Sequence, residues 1–140
     1  MTDLPAIELF SGAGGLALGL EQSGFRHVAL FERDSNACDT LELNSRRKND
    51  GQSGWRVLRG DVKAVAYANE VGAEVDLVAG GPPCQPFSLG GKHRGHRDSR
   101  DLFPEAVRAV SSLRPKAFVF ENVRGLLRPA FASYLEYTLL

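Results

Sequence analysis

Apolar residues gather in five short runs, at Ala6 to Phe10, His27 to Phe31, Trp55 to Leu58, Val75 to Ala79 and Ala117 to Phe120. Each has the length and continuity of a buried strand. Between them, Leu16 to Gln22, Ser35 to Asn44, Val62 to Asn69 and Leu102 to Leu113 carry apolar residues at helical spacing. Ser35 is placed to cap its helix, and Pro104 is tolerable in a first turn. Strands separated by helices predict a doubly wound α/β fold on a mainly parallel sheet. After Glu121, the residues Phe131, Tyr134, Leu135 and Leu139 space out as one last helix.

Composition narrows the class without changing that picture. At 140 residues, 43% hydrophobic and 24% charged, the chain is enough for one domain with a real core. It contains no internal repeat and no low-complexity tract. Its apolar runs are far too short to span a bilayer, and Met1 to Glu8 lacks a basic stretch ahead of an apolar one. The expectation is a soluble, untargeted, intracellular protein with no membrane partner. Two cysteines, Cys38 and Cys84, cannot build a disulfide framework and are expected as free thiols.

The charge balance bears on partners. With 17 basic and 17 acidic residues, no global attraction draws the chain to a polyanion, so any contact with nucleic acid must be local. The one local excess is the stretch from Lys92 to Arg100, where Lys92, Arg94, Arg97 and Arg100 stand against Asp98 alone. A solvated basic loop is the plain alternative.

Loops that leave the carboxyl ends of strands carry the ligands in such a sheet, and each candidate motif occupies such a loop. After the first strand, Phe10, Ser11, Gly12, Ala13, Gly14 and Gly15 make a tight turn into a helix, where absent side chains let a ligand touch the backbone. Glu32, twenty positions past Gly12, ends the second strand, where a carboxylate can accept both ribose hydroxyls of a nucleoside. The pair signals an adenosine-containing cofactor. Gly12, Gly14 and Ala17 also fit the dinucleotide fingerprint, so the loop does not separate a nicotinamide cofactor from S-adenosylmethionine. Asp61, after the third strand, is placed to accept from the exocyclic amine of an adenine, or to cap the helix starting near Val62, or both.

The fourth strand runs into Gly80, Gly81, Pro82, Pro83, Cys84, Gln85, Pro86, Phe87 and Ser88. So many rigid or permissive residues fix a backbone path rather than fill a core, and a cysteine displayed there is a candidate nucleophile. Cys38, inside a helical stretch, reads instead as a small buried hydrophobe.

The run from Glu8 to Gly15, Glu32, Asp61, the loop from Pro82 to Ser88, and Glu121, Asn122 and Val123 together resemble the cytosine C5 DNA methyltransferases. Order and spacing match across nearly the whole chain, and the Pro83, Cys84, Gln85 loop followed by Glu121, Asn122 and Val123 is highly specific. The resemblance implies a Rossmann-like S-adenosylmethionine-dependent methyltransferase fold. It implies transfer of a methyl group to C5 of cytosine in DNA, with S-adenosyl-L-methionine as cofactor and S-adenosyl-L-homocysteine as product. Cys84 is then the attacker at C6 and Glu121 the acid near N3. Phe10, Ser11, Gly12, Gly14, Gly15, Glu32, Asp61, Pro82 and Leu102 are implied at the cofactor. Asp98, Arg100 and Phe103 match a further element lining that pocket. Pro83, Gln85, Ser88, Asn122, Val123, Arg94 and Arg97 are implied to position the substrate, although Asn122 also suits a turn or helix cap. The target base must be flipped from its duplex. No metal is needed, so His93 and His96 have no metal role.

The chain also departs from the family. Typical members are longer, with a second domain that reads the target sequence. Counterparts of the arginine pair that assists the acid at the flipped base, and of the late segment beside the glycine loop, are not found. The expectation is therefore residues 1–140 as a partial catalytic and cofactor-binding domain, incomplete at its C-terminus, with the target recognition domain absent: one subunit of a split enzyme with a second polypeptide as partner, a truncated chain, or the product of a degenerate gene. An exposed apolar sheet edge is expected with it. A restriction-modification setting, cytoplasmic or nucleoid-associated in a bacterium, goes with that reading. The alternatives are a noncatalytic regulatory or DNA-binding module of the same fold, an RNA cytosine methyltransferase, and, least well supported, a nicotinamide oxidoreductase.

Overall fold

A computed structural model describes residues 4–46, 54–83 and 101–139 of the chain. The strands are β1 (Leu4–Leu9), β2 (Phe25–Glu32), β3 (Val57–Arg59), β4 (Leu77–Gly80) and β5 (Ala117–Phe120), all parallel, in the order β3-β2-β1-β4-β5. The order reverses at β1, which pairs with both β2 and β4. A crevice opens at such a point outside the carboxyl ends of the strands.

Helices cover both faces. α1 (Gly15–Gln22) and α2 (Ser35–Arg46) bury Ala17 and Leu41 against Leu30 and Trp55, while Leu16 and Leu20 pack on Ala6, Leu77 and Ala79. On the other face, α3 (Tyr67–Val71) and α4 (Phe103–Leu113) close over Ile7, Leu9, Ala29, Phe31 and Val78. α5 (Ala132–Leu139) follows a 3-10 turn, and Phe131, Tyr134 and Leu135 pack on Phe103 and Leu126. No helix among the described residues is long and apolar enough to cross a membrane.

Four local expectations are corrected. Ser35 is the first helical residue of α2, and the cap is Asp34, whose Oδ1 accepts the Ala37 N–H at 2.9 Å. Trp55 to Leu58 was expected as the third strand, but the strand is Val57–Arg59 and Trp55 packs beneath α1 and α2. The stretch from Val62 to Asn69 is not one helix: a 3-10 turn over Val62–Ala64 is followed by extended Val65 and then by α3. The Val62 carbonyl is shared between the Val65 N–H and the Arg108 guanidinium, which also takes the Val65 carbonyl where a helical ladder would continue. Ala117 to Phe120 was expected as a buried strand, yet Phe118 and Val119 are 47% and 48% exposed, and among the described residues β5 is an edge strand.

A register shift in the β1·β2 ladder between Ala6 and Ile7 also matters. It places His27 with Ala6 and Leu30 with Glu8, so Glu8 and His27 meet inside the layer beneath α1. His27 Nε2 lies 3.6 Å from Glu8 Oε2, both side chains are buried, and neither atom has a hydrogen-bond partner among the described residues.

Candidate active site

The glycine loop and Glu32 are fastened to each other. Glu32 ends β2, and its Oε2 accepts the Gly12 N–H at 2.8 Å while Oε1 accepts the N–H groups of Arg33 and Asp34, each at 2.8 Å. Three donors on one carboxylate fix the side chain at the mouth of the crevice. Phe10 is held at φ 57°, a left-handed conformation that costs a residue with a side chain on the order of 1–2 kcal/mol. Strain of this kind gathers at ligand sites. Gly14, at φ 92°, leads into α1, and a Cβ there would come within 2.7 Å of Leu41 Cδ2 and 3.1 Å of Trp55. Only glycine lets α1 start this close to α2 and Trp55. Ser11 is internal to the turn, its hydroxyl donating to the Glu8 carbonyl at 3.2 Å.

These parts border a cleft of about 430 Å³, open to solvent and lined by Phe10, Phe31, Glu32, Arg33, Gly60, Asp61, Val62, Pro83 and Leu102. The wall chemistry is mixed in a useful way. Phe10, Phe31, Val62, Pro83 and Leu102 offer apolar surface to a flat ring, and the two carboxylates accept from hydroxyl or amine hydrogens. Two acceptors beside apolar walls suit an adenosine. Asp61 is also the cap of the 3-10 turn, Oδ1 accepting from the Lys63 N–H at 2.9 Å, so both roles read from the sequence remain compatible. Behind the wall, Tyr67 meets Phe31 edge-on with ring centroids 5.6 Å apart, and burial pushes its phenol pKa up to about 12. Cys38 is buried as expected; its Sγ donates to the Glu32 carbonyl at 3.3 Å, and burial pushes its pKa up.

On the other side of β1 the loops after β4 and β5 grip one another. The Glu121 N–H donates to the Gly80 carbonyl at 2.9 Å, and a methyl group on Gly81 would sit 3.5 Å from Glu121 Oε2. Asn122 Nδ2 donates to the Pro82 carbonyl at 3.1 Å, while its Oδ1 accepts the Val123 N–H at 2.8 Å. Asn122 is thus a turn former and a brace between loops at once. The Glu121 carboxylate is solvent-exposed.

Of the residues picked out from the sequence, Phe10, Glu32, Asp61, Pro83 and Leu102 line one cleft. Ser11, Gly12, Gly14 and Gly15 shape the turn beside it, and Pro82 is a buried brace rather than a wall. Cys84, Gln85, Ser88, Arg94, Arg97, Asp98 and Arg100 lie outside the described residues. Phe31, Arg33, Gly60 and Val62 line the cleft and were not picked out, although each is the chain neighbour of Glu32 or Asp61. Among the described residues no group of three or more potential ligands gathers for a metal.

The sequence model described as C-5 cytosine-specific DNA methylase matches residues 4–139. Type II methyltransferase M.NgoMIV of Neisseria gonorrhoeae is 50% identical over 132 residues, covering 94% of this chain and 39% of that protein. Type II methyltransferase M.AquIA of Picosynechococcus is 39% identical over 139 residues, covering 93% of this chain and 52% of its own length. The chain therefore spans between about a third and a half of these curated relatives. Among solved structures, an Escherichia coli prophage protein described as a DNA modification methyltransferase superposes with a TM-score of 0.79 at 31% identity, over 98% of this chain and 37% of that one. A Spodoptera frugiperda DNMT2 mutant superposes with a TM-score of 0.71 at 22% identity, over 98% of this chain and 40% of that one, a likeness of fold.

Proposed function

This chain belongs to the C-5 cytosine-specific DNA methylases, and on that footing we propose that it carries the cofactor pocket and the nucleophile for methyl transfer to C5 of cytosine in DNA. S-adenosyl-L-methionine, when bound, supplies a methyl group on a positively charged sulfur and leaves as S-adenosyl-L-homocysteine. Glu32 accepts from its ribose hydroxyls and Asp61 from its adenine amine, with Phe10, Phe31 and Leu102 against the ring.

Cytosine C5 is not nucleophilic until a thiolate adds to C6 and turns the ring into an enamine. Cys84 forms that C6–S bond, and the electron pair displaced toward N3 is met by a proton from the Glu121 carboxyl. The target base reaches these two side chains only by leaving its duplex. Once C5 is methylated a water takes its proton, that electron pair re-forms the C5–C6 double bond, the Cys84 sulfur leaves as a thiolate, and the N3 proton returns to Glu121. Arg94 and Arg97 touch phosphate; Pro83, Gln85, Ser88, Asn122 and Val123 hold the base and its loop.

The observation that carries this reading is the grip of Glu121 and Asn122 on Gly80 and Pro82, the residues that lead into Cys84. Acid and nucleophile thereby start from one anchored piece of backbone. Beyond it, the sheet stops at an apolar strand with Phe118 and Val119 half exposed. We propose that a second polypeptide covers this edge and brings the target recognition domain, and that the complex works in the bacterial cytoplasm or on the nucleoid.

Calorimetry with S-adenosyl-L-homocysteine tests the cofactor assignment. Glu32→Ala is expected to weaken binding by about 1–3 kcal/mol, the cost of losing charge-assisted hydrogen bonds. Unchanged affinity would remove Glu32 from the cofactor.

A further inference from the structure

Arg108 lies outside the cleft, on the middle of α4, yet its guanidinium reaches the segment that carries Asp61 and Val62 and the Tyr67 ring behind Phe31. Its Nη2 donates to the Val62 carbonyl at 2.7 Å and its Nη1 to the Val65 carbonyl at 2.9 Å. Nε pairs with Glu105 Oε2 one turn earlier at 2.7 Å, which fixes the plane of the guanidinium. That plane covers Tyr67, with Cζ 4.7 Å from the ring centroid, and Tyr67 in turn supports Phe31.

The segment so held packs Val62 and Val65 on the core, but its regular hydrogen bonding is short. Only three residues of it, Val62–Ala64, form a 3-10 turn, Val65 is extended, and the Asp61 side chain spans just its first step. Short 3-10 turns carry poor hydrogen-bond geometry and few bonds of their own. The helix that bears Arg108 begins immediately after Leu102, which forms the facing wall. One planar side chain therefore ties the wall of Asp61 and Val62, the prop beneath Phe31, and the helix below Leu102 into a single unit.

We propose that Arg108 is a positioning residue for cofactor affinity, acting through Asp61, Val62 and Phe31 at the adenosine end of the cleft. This rests on the reading of the cleft as the S-adenosylmethionine site. A lysine cannot replace it. One ammonium on a flexible stem does not bridge two carbonyls while lying flat on an aromatic ring and pairing with a carboxylate.

The test is binding of S-adenosyl-L-homocysteine and of plain adenosine to the full chain, with thermal unfolding measured alongside. Arg108→Lys and Arg108→Gln are expected to raise the dissociation constant for both ligands by about tenfold, and by the same factor, because the loss lies at the adenosine end. Val110→Ala, on the same helix and against the same core, should lower the Tm and leave both affinities alone. The inference is overturned if wild type binds and Arg108→Lys binds within twofold of it. It is also overturned if Val110→Ala weakens binding as much as Arg108→Lys, or if only S-adenosyl-L-homocysteine and not adenosine is affected. A folded wild-type chain that binds neither ligand overturns the cofactor reading itself, and this inference with it.

Discussion

The two edges of the sheet are built in opposite ways. β3 is three residues long and ends in Arg59, whose guanidinium reaches Asp39 at 2.6 Å and Glu42 at 2.9 Å on α2. The Arg59 hydrogen bond holds the Glu42 carboxyl below the usual range. A short strand closed by charge is a blunted edge, unattractive to any further strand. β5 is all apolar, Ala-Phe-Val-Phe, with Phe118 and Val119 half exposed. The same contrast runs through the site. Glu32, on the β3 side, is held by three backbone donors, whereas Glu121, on the β5 side, presents an exposed carboxylate. The β3 half is closed by its own residues, and the β5 half leaves its strand and its acid open among the described residues.

That contrast predicts unequal tolerance to change. The largest effect is expected inside the closed half, at the buried Glu8–His27 pair. His27→Ala removes a buried ring and leaves a cavity against Glu8, and urea unfolding should register a loss of about 2–5 kcal/mol. A loss under about 1 kcal/mol would mean that the pair does not hold β1 to β2. At the other edge, Phe118→Lys loses a half-buried ring and its contact with Phe120, and should lower the chain's stability by only about 1–2 kcal/mol. Its effect should appear in association: sedimentation of the wild-type chain at rising concentration should show self-association that the lysine reduces. Equal sedimentation of the two would show that the β5 face is not sticky.

The architecture was legible because parallel strands buried on both faces read as continuous apolar runs, and helix spacing separates them. Glu32, Asp61 and the glycine turn were legible because strand ends are where ligands meet backbone donors. Finer features depend on contacts that a linear pattern does not contain. The break between Val62 and Tyr67 follows from Arg108, more than forty positions away in the chain. Asp34 outcompetes Ser35 as cap because the chain turns one residue earlier. Glu8 looked like part of a motif, yet a register shift turns His27 onto its face and makes the two a buried pair. An exposed apolar edge was expected, but its place at β5 was not legible, because an apolar edge strand has the same composition as a central one.

The central claim is that Cys84 attacks the base and that the β5 side is completed by a second chain. Covalent trapping addresses it directly: the chain, alone and with a lysate of its source, is incubated with S-adenosyl-L-methionine and duplex DNA carrying 5-fluorocytosine. The fluorine prevents the final elimination, so a base that has been methylated stays on the sulfur. The account predicts a DNA adduct at Cys84 that forms only with lysate and disappears in Cys84→Ser. An adduct formed by the chain alone would contradict the need for a partner. No adduct under either condition, with S-adenosyl-L-homocysteine binding intact, would contradict catalysis by Cys84.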